Sequence, residues 1–196
     1  MNEIKKLSEL EESQVDQAID VFIEGFYFTL SSVSKDKDKL HKLFKSFLDY
    51  SMTYAYLQDS IAIGFLGLAD HLKRPVKLNW EDYTQIMGKF ASKMAYKAMS
   101  AAFEKVKDIG HQEILIDFIA TSPEHRSKGI GTQIISFIRD VLGYKKIQLE
   151  TYSKNTRAIT FYERLGFKVT KVNKNLMMKI SGYGSLVTMR FEAENA

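Results

Sequence analysis

Three kinds of residue in this chain could do chemistry together: a glycine loop suited to phosphate, an aromatic hydroxyl, and carboxylates set in apolar strands. The loop is Arg126-Ser127-Lys128-Gly129-Ile130-Gly131-Thr132, which follows an apolar run ending at Ser122-Pro123 and opens an amphipathic helical pattern. Without a Cβ at Gly129 and Gly131, the main chain can approach an anion closely. The amides of Ser127 to Thr132 and the positive end of the helix dipole would converge on one point. Thr132 adds a hydroxyl. Arg126 and Lys128, with Lys154 and Arg157 from the start of the next helix, would set four cations around one polyanion. The plainer reading is a glycine-rich helix start beside a solvated basic loop. A second cluster holds Asn155, Ala158, Phe161-Tyr162 and Leu165-Gly166-Phe167. Asn155 reads as a helix N-cap for the amides of Thr156 to Ala158. Gly166 reads as the C-cap of that helix and Phe167 as core.

The elements that must position these groups can be read from periodicity. Ile4 to Leu10 is expected as a first strand. Ser13 caps a helix whose stripe is Val15, Ala18, Ile19, Phe22, Ile23 and Phe26. A second helix carries Leu40, Leu43, Phe44, Phe47 and Leu48. Thr53–Gln58 and Ile61–Leu68 flank Asp59-Ser60 as a hairpin. Glu81 to Lys107 has helical spacing at Tyr83, Met87, Phe90, Met94, Ala98 and Ala101, with Gly88 placed to split or kink it. Glu113 to Ala120 is a buried strand. The helix after the glycine loop stops at Gly143, and Lys146–Thr151, Thr156–Leu165 and Phe167–Val172 follow as strand, helix and strand. The tail would pair Leu176–Ile180 with Leu186–Phe191. Strands and helices alternate with hairpins at both ends, which favours a mixed α/β sheet in one domain over residues 1–196.

This order of elements resembles the GNAT superfamily of N-acetyltransferases. The family's pyrophosphate loop, Gln/Arg-x-x-Gly-x-Gly/Ala, is matched by Arg126-Ser127-Lys128-Gly129-Ile130-Gly131. Its next segment, an Asn at a helix start, then Tyr, then Leu-Gly-Phe, is matched by Asn155, Tyr162 and Leu165-Gly166-Phe167. The strong match covers residues 113–172. The resemblance implies a mostly antiparallel central sheet flanked by helices, with acetyl-CoA as cosubstrate. Where the family usually has a short hairpin between its third and fourth strands, this chain has a helical insertion at about residues 70–112. That insertion could cover an acceptor site, build a homodimer interface or extend the core. Its Tyr83, Met87, Phe90, Met94 stripe reads as core, while Trp80 and Tyr83 could instead line an acceptor pocket. The resemblance also implies splayed strands, with the pantetheine arm pairing to the main chain of Ile119, Ala120 and Thr121. Asn155 would contact the same arm.

The implied reaction is direct attack of a primary amine on the thioester in a ternary complex. An alkylammonium (pKa about 10.4) is not nucleophilic until it loses a proton, so the site needs a proton acceptor. It also needs an oxyanion donor, for which the amide near Ile119 is the candidate. Tyr162 is the expected acid for the thiolate and a cosubstrate contact beside the thioester sulfur, as the resemblance implies. Asp117 is the leading base, because a carboxylate in an apolar strand needs a reason to be there. By strict alternation Ile114, Ile116 and Phe118 would face one way and Leu115, Asp117 and Ile119 the other. Glu150 is the reserve base and Glu24 a more distant one. The alternative reading is an acyl-CoA-binding regulatory module without turnover.

Composition narrows the field. Hydrophobic residues are 45% and charged residues 27% of 196, the balance of a globular domain. There is no cysteine, which excludes disulfides, thiolate metal sites and a thiol nucleophile. His41, His71, His111 and His125 are scattered in sequence, so no metal is expected. The net charge of +4 is spread among mixed signs and predicts no nucleic-acid partner. No apolar run suggests a membrane span, and no secretory leader is recognised, so a cytoplasmic location is expected. The acceptor is expected to be a small-molecule or peptide amine.

Overall fold

A computed structural model describes residues 2–105, 109–173 and 184–193. Among them, seven strands form one sheet in the order β1-β2-β3-β4-β5-β7-β6. These are β1 (Asn2–Lys6), β2 (Thr53–Gln58), β3 (Ile61–Ala69), β4 (Glu113–Thr121), β5 (Lys146–Tyr152), β6 (Lys168–Asn173) and β7 (Leu186–Glu192). The helices are α1 (Glu12–Leu30), α2 (Lys37–Phe47), α3 (Trp80–Met87), α4 (Lys93–Phe103), α5 (Ile130–Ser136) and α6 (Thr156–Arg164). Every strand pair is antiparallel except β4 with β5. Those two run parallel because α5 carries the chain back across the sheet between them.

The parallel pairing is short. It runs from Glu113 opposite Lys146 to Ile116 opposite Leu149 and goes no further. Beyond that point Glu150 to Tyr152 pair with β7, and among the described residues the β4–β5 ladder does not continue. A second irregularity lies on the other edge of β4. Gly67 pairs with Phe118 and Leu68 with Ile116, so Asp117 is the extra residue of a bulge. The strict alternation read from the sequence fails at this residue. Ile114 and Ile116 face the α5–α6 side, whereas Phe118 joins the α1–α2 core and Ile119 packs on the α5–α6 side.

The sheet is covered on both faces. On one, Phe22 of α1 meets Phe44, Phe65 and Phe118 with ring centroids 4.9, 5.0 and 5.0 Å away. Such aromatic pairs contribute about 0.5–1.5 kcal/mol each beyond area burial. On the other, Ile134, Ile135 and Ile138 cover β3 to β5. Helix α1 approaches β4 closely because Gly25 has no side chain: a Cβ there would stand 2.6 Å from the Cβ of Ala120. Gly25→Ala is therefore expected to cost roughly 1–3 kcal/mol by overpacking. Thermal unfolding checks this, and an unchanged midpoint would refute it.

Several boundaries differ from the sequence reading for local reasons. Helix α1 begins at Glu12, and the Glu11 N–H is met by Gln14 Oε1 at 3.3 Å, so Ser13 is not its cap. The β2–β3 hairpin turns on Asp59 and Ser60 at φ 50° and 66°, the paired left-handed conformations of a tight primed turn. Gly88, at φ 60°, divides the expected long helix into α3 and α4. Tyr83 and Met87 are buried as expected, but Phe90 and Met94 are 81% and 82% exposed because they follow the break. Strand β7 inserts between β5 and β6, and the expected partner strand Leu176–Ile180 lies outside the described residues.

Candidate functional site

Gly129 is the N-cap of α5 at φ +81°, and Ser127 two residues earlier has φ +64°. This left-handed pair folds the basic loop back over the helix start. The first amide bonded within α5 is that of Gln133, to the Gly129 carbonyl at 3.1 Å. The amides of Ile130, Gly131 and Thr132 thus have no acceptor inside the helix. A Cβ added at Gly129 would meet nothing within 4 Å, so the space there is open. Gly131 differs: its Cβ would lie 2.9 Å from Cζ of Phe161. Its lack of a side chain lets α6 pack against α5, a role the sequence reading had given to phosphate approach.

A groove of about 680 Å³ runs across this helix start. Of the residues expected from sequence, Thr121, Arg126, Ser127, Gly129 to Thr132, Asn155 and Arg157 line it. Lys128, which is exposed, and Tyr162, which is buried, do not. The two loops are tied together by Arg157, whose Nη2 donates to Ser127 Oγ at 2.7 Å. Asn155 caps α6 as read, its Oδ1 accepting from the Ala158 amide at 3.2 Å. Four further residues line it: Ala158 and Phe161, which belong to the second sequence cluster without an assigned contact, and His125 and Arg164, which the sequence reading does not single out. Arg164 was legible, since it lies two helical turns after Arg157 and so on the same face. His125 was not; its Nδ1 is buried without a hydrogen-bond partner among the described residues.

Along β4 the Ser122 amide donates to Ile63 on β3 at 2.9 Å. By strand alternation the main-chain groups of Ala120 also face β3, and those of Ile119 and Thr121 face the gap left by β5. Arg126 Nε reaches the Thr121 carbonyl at 3.4 Å, consistent with that direction. Of the three residues expected to offer main chain, Ile119 and Thr121 are thus placed to do so and Ala120 is not.

The carboxylates lie on the α1 side of the gap. Asp117 is held by Arg74, with Nε to Oδ2 at 2.7 Å and Nη2 to Oδ1 at 2.6 Å. Their side chains are only 7% and 5% exposed. Arg74 Nη1 also donates to the Ala102 carbonyl at the end of α4, so one guanidinium joins the insertion to the bulge. A carboxylate whose two oxygens are engaged by a guanidinium is a poor proton acceptor. This arrangement argues against Asp117 as the base and explains its place in an apolar strand by structure instead. Glu150 is half-buried at the end of β5 and lines the same cavity. Glu24 pairs with Lys37 at 2.6 Å on the surface and does not line that cavity.

Tyr162 packs among aromatic rings, 5.1 Å from Phe161 and 5.5 Å from Phe167 by centroid. It shares its core with Ile116 and Leu149, the last paired residues of β4 and β5. Burial pushes its phenol well above the ordinary range, so it stays protonated. Trp80 and Tyr83 stack on one another within the α1–α2 core rather than lining the cavity. The fold brings the rings of His71 and His111 to 4.2 Å. Among the described residues, no group of three His, Cys, Asp or Glu could hold a metal ion, and no helix is long and apolar enough to cross a membrane.

Residues 95–169 match the family model described as Acetyltransferase (GNAT) domain. No curated protein matches the chain. Among solved structures, it is similar to the histone acetyltransferase HPA2 and related acetyltransferase from Corynebacterium glutamicum, at 17% identity, TM-score 0.63, covering 100% of this chain and 98% of that one. It is similar to an N-acetyltransferase from Staphylococcus aureus at 14% identity, TM-score 0.61, covering 96% and 99%. It is also similar to the ribosomal-protein-S18-alanine N-acetyltransferase from Escherichia coli at 17% identity, TM-score 0.56, covering 100% and 99%. At these identities the likeness is one of fold.

Proposed function

We propose, from the premise that this chain carries a GNAT domain and is an acyl-CoA-dependent N-acetyltransferase, that it transfers acetyl from acetyl-CoA to a primary amine by direct attack in a ternary complex. The observation that carries this is the interruption of one sheet between two spaces. The strands cease pairing at Ile116 and Leu149, a cationic groove lies on one face, and a cavity holding Glu150 lies on the other.

The groove fits a diphosphate cosubstrate. The left-handed Gly129 leaves open space, the amides of Ile130 to Thr132 lack acceptors within the helix, and Arg126, Arg157 and Arg164 supply charge. The unpartnered Nδ1 of His125 suits a further polar contact. Ile119 and Thr121 would pair with the pantetheine arm, and the Ile119 amide would donate to the oxygen that gains charge. Glu150 would take the proton from the ammonium, directly or through water, and Tyr162 would donate one to the departing sulfur. Asp117 is assigned to holding the bulge with Arg74.

The test is thiol release from acetyl-CoA across a panel of amines. The chain has no cysteine and so adds no background. Amine-dependent release is expected. Tight CoA binding without release for any amine would replace this reading with a non-catalytic acyl-CoA-binding module. Gly129→Val should weaken CoA binding by about 10- to 100-fold, the loss of one charge-assisted hydrogen bond of about 1.5–3 kcal/mol. Calorimetry measures it. Unaltered affinity would move the diphosphate elsewhere.

A further inference from the structure

Ser127 holds a left-handed conformation, φ +64°, that a residue with a side chain rarely adopts unless its surroundings compel it. Among the described residues Asp59 and Ser60 share that property, and there the tight β2–β3 turn demands it. No hairpin demands it at Ser127. Glycine would fold the loop without the steric cost, as Gly129 does two residues later at φ +81°. What serine adds is its hydroxyl. Its Oγ accepts from Arg157 Nη2 at 2.7 Å, across 30 residues of chain. Both residues are exposed, so the bond is not needed to satisfy a buried group. It crosses between two walls of the groove, the glycine loop and the first turn of α6.

The chemistry of the acceptor matters. A hydroxyl is neutral, so it fixes a guanidinium without cancelling its charge. Arg74 is the contrast: two carboxylate oxygens of Asp117 engage it, and the pair is neutral. A guanidinium has five N–H donors, and the Ser127 hydroxyl takes one of them. The rest of the Arg157 fork is thereby kept beside the loop whose Ile130, Gly131 and Thr132 amides have no acceptor inside the helix. An arginine that rotates freely must surrender that freedom when an anion binds, whereas one already held has surrendered it beforehand. Arg126 is held in the same manner by a neutral acceptor, its Nε reaching the Thr121 carbonyl at 3.4 Å.

We propose that Ser127 is a positioning residue for the cosubstrate: its hydroxyl holds Arg157 across the groove before CoA arrives, and so raises affinity for the diphosphate without neutralising the cation that binds it. The inference rests on the transferase reading above, and Ser127 touches none of the reacting atoms. Wild type, Ser127→Gly, Arg157→Ala and the double variant test it. Glycine removes the hydroxyl but relieves the backbone, so the thermal midpoint should hold or rise. CoA affinity measured by calorimetry should nevertheless fall by about 5- to 10-fold, the loss of one ordinary hydrogen bond. In the thiol-release assay KM for acetyl-CoA should rise by the same factor, while kcat stays within about twofold. On the Arg157→Ala background, Ser127→Gly should change affinity by less than about twofold, because the serine acts through the arginine. Ser127→Asn and Ser127→Asp give a second comparison. Both side chains tolerate the left-handed region and both can accept from Arg157, but only Asp cancels its charge. The Asp variant should bind CoA at least about tenfold more weakly than the Asn variant. Wild-type affinity in Ser127→Gly, additive losses in the cycle, or equal affinity in the Asn and Asp variants overturns the proposal while leaving acetyl transfer standing. Failure of the wild type to bind CoA overturns the transferase reading instead. Titration with inorganic pyrophosphate at low ionic strength then applies the same comparisons to the groove, and absence of pyrophosphate binding overturns both.

Discussion

Arg74→Ala should destabilise the fold by about 3–5 kcal/mol, the range for breaking a buried ion pair by removing one partner. The arginine makes two hydrogen bonds to Asp117 at 2.6 and 2.7 Å and a third to the Ala102 carbonyl. Truncation leaves the Asp117 carboxylate, 7% exposed, without its guanidinium. It also removes the link between the end of α4 and the β4 bulge. Urea unfolding measures the loss as a shift in midpoint at constant slope. The paired change Arg74→Met with Asp117→Leu should recover most of it, because replacing both ions with apolar groups removes the uncompensated charge. The cycle of single and double variants isolates the coupling. A loss under about 1 kcal/mol for Arg74→Ala would show that water or another group substitutes for the guanidinium. It would also reopen Asp117 as the base.

Tyr162→Phe should lower turnover by about 10²–10⁴-fold, the usual range for losing a positioned general acid. Only one oxygen is removed, so the packing against Phe161 and Phe167 is kept. Tyr162 does not line the CoA groove, and acetyl-CoA affinity should be unchanged. The pH profile gives a second check. Burial raises the phenol's pKa, so the proton-bearing form persists to higher pH than for an ordinary tyrosine. The wild-type rate should therefore show no falling limb from this residue below the ordinary phenol value of about 10. Retention of more than half the turnover by the phenylalanine variant would assign Tyr162 to packing alone.

Much of the groove was legible before the fold. Asn155 was read as an N-cap and its Oδ1 accepts from Ala158. Gly129 was read as a close-approach position and is left-handed over open space. These are local features, governed by residues within a turn or two, and local physics writes them into sequence. Gly131 marks where that stops. It looks equivalent to Gly129, but a side chain there would crowd the tip of the Phe161 ring, contributed by another helix. The insertion stripe behaved similarly: Tyr83 and Met87 face the core, and the turn at Gly88 rotates Phe90 and Met94 out to solvent.

Backbone preference and near neighbours suffice to write the phosphate-type loop, the Asn155 cap and the alternation of strands and helices into the chain. Tertiary structure alone decided the bulge at Asp117, which moves Phe118 and Ile119 to opposite faces from those read by alternation. It alone decided the partner of that carboxylate, an arginine 43 residues away in the chain, and the point at which β4 and β5 part. These depend on which distant segments meet, and a one-residue slip of register reverses every face beyond it.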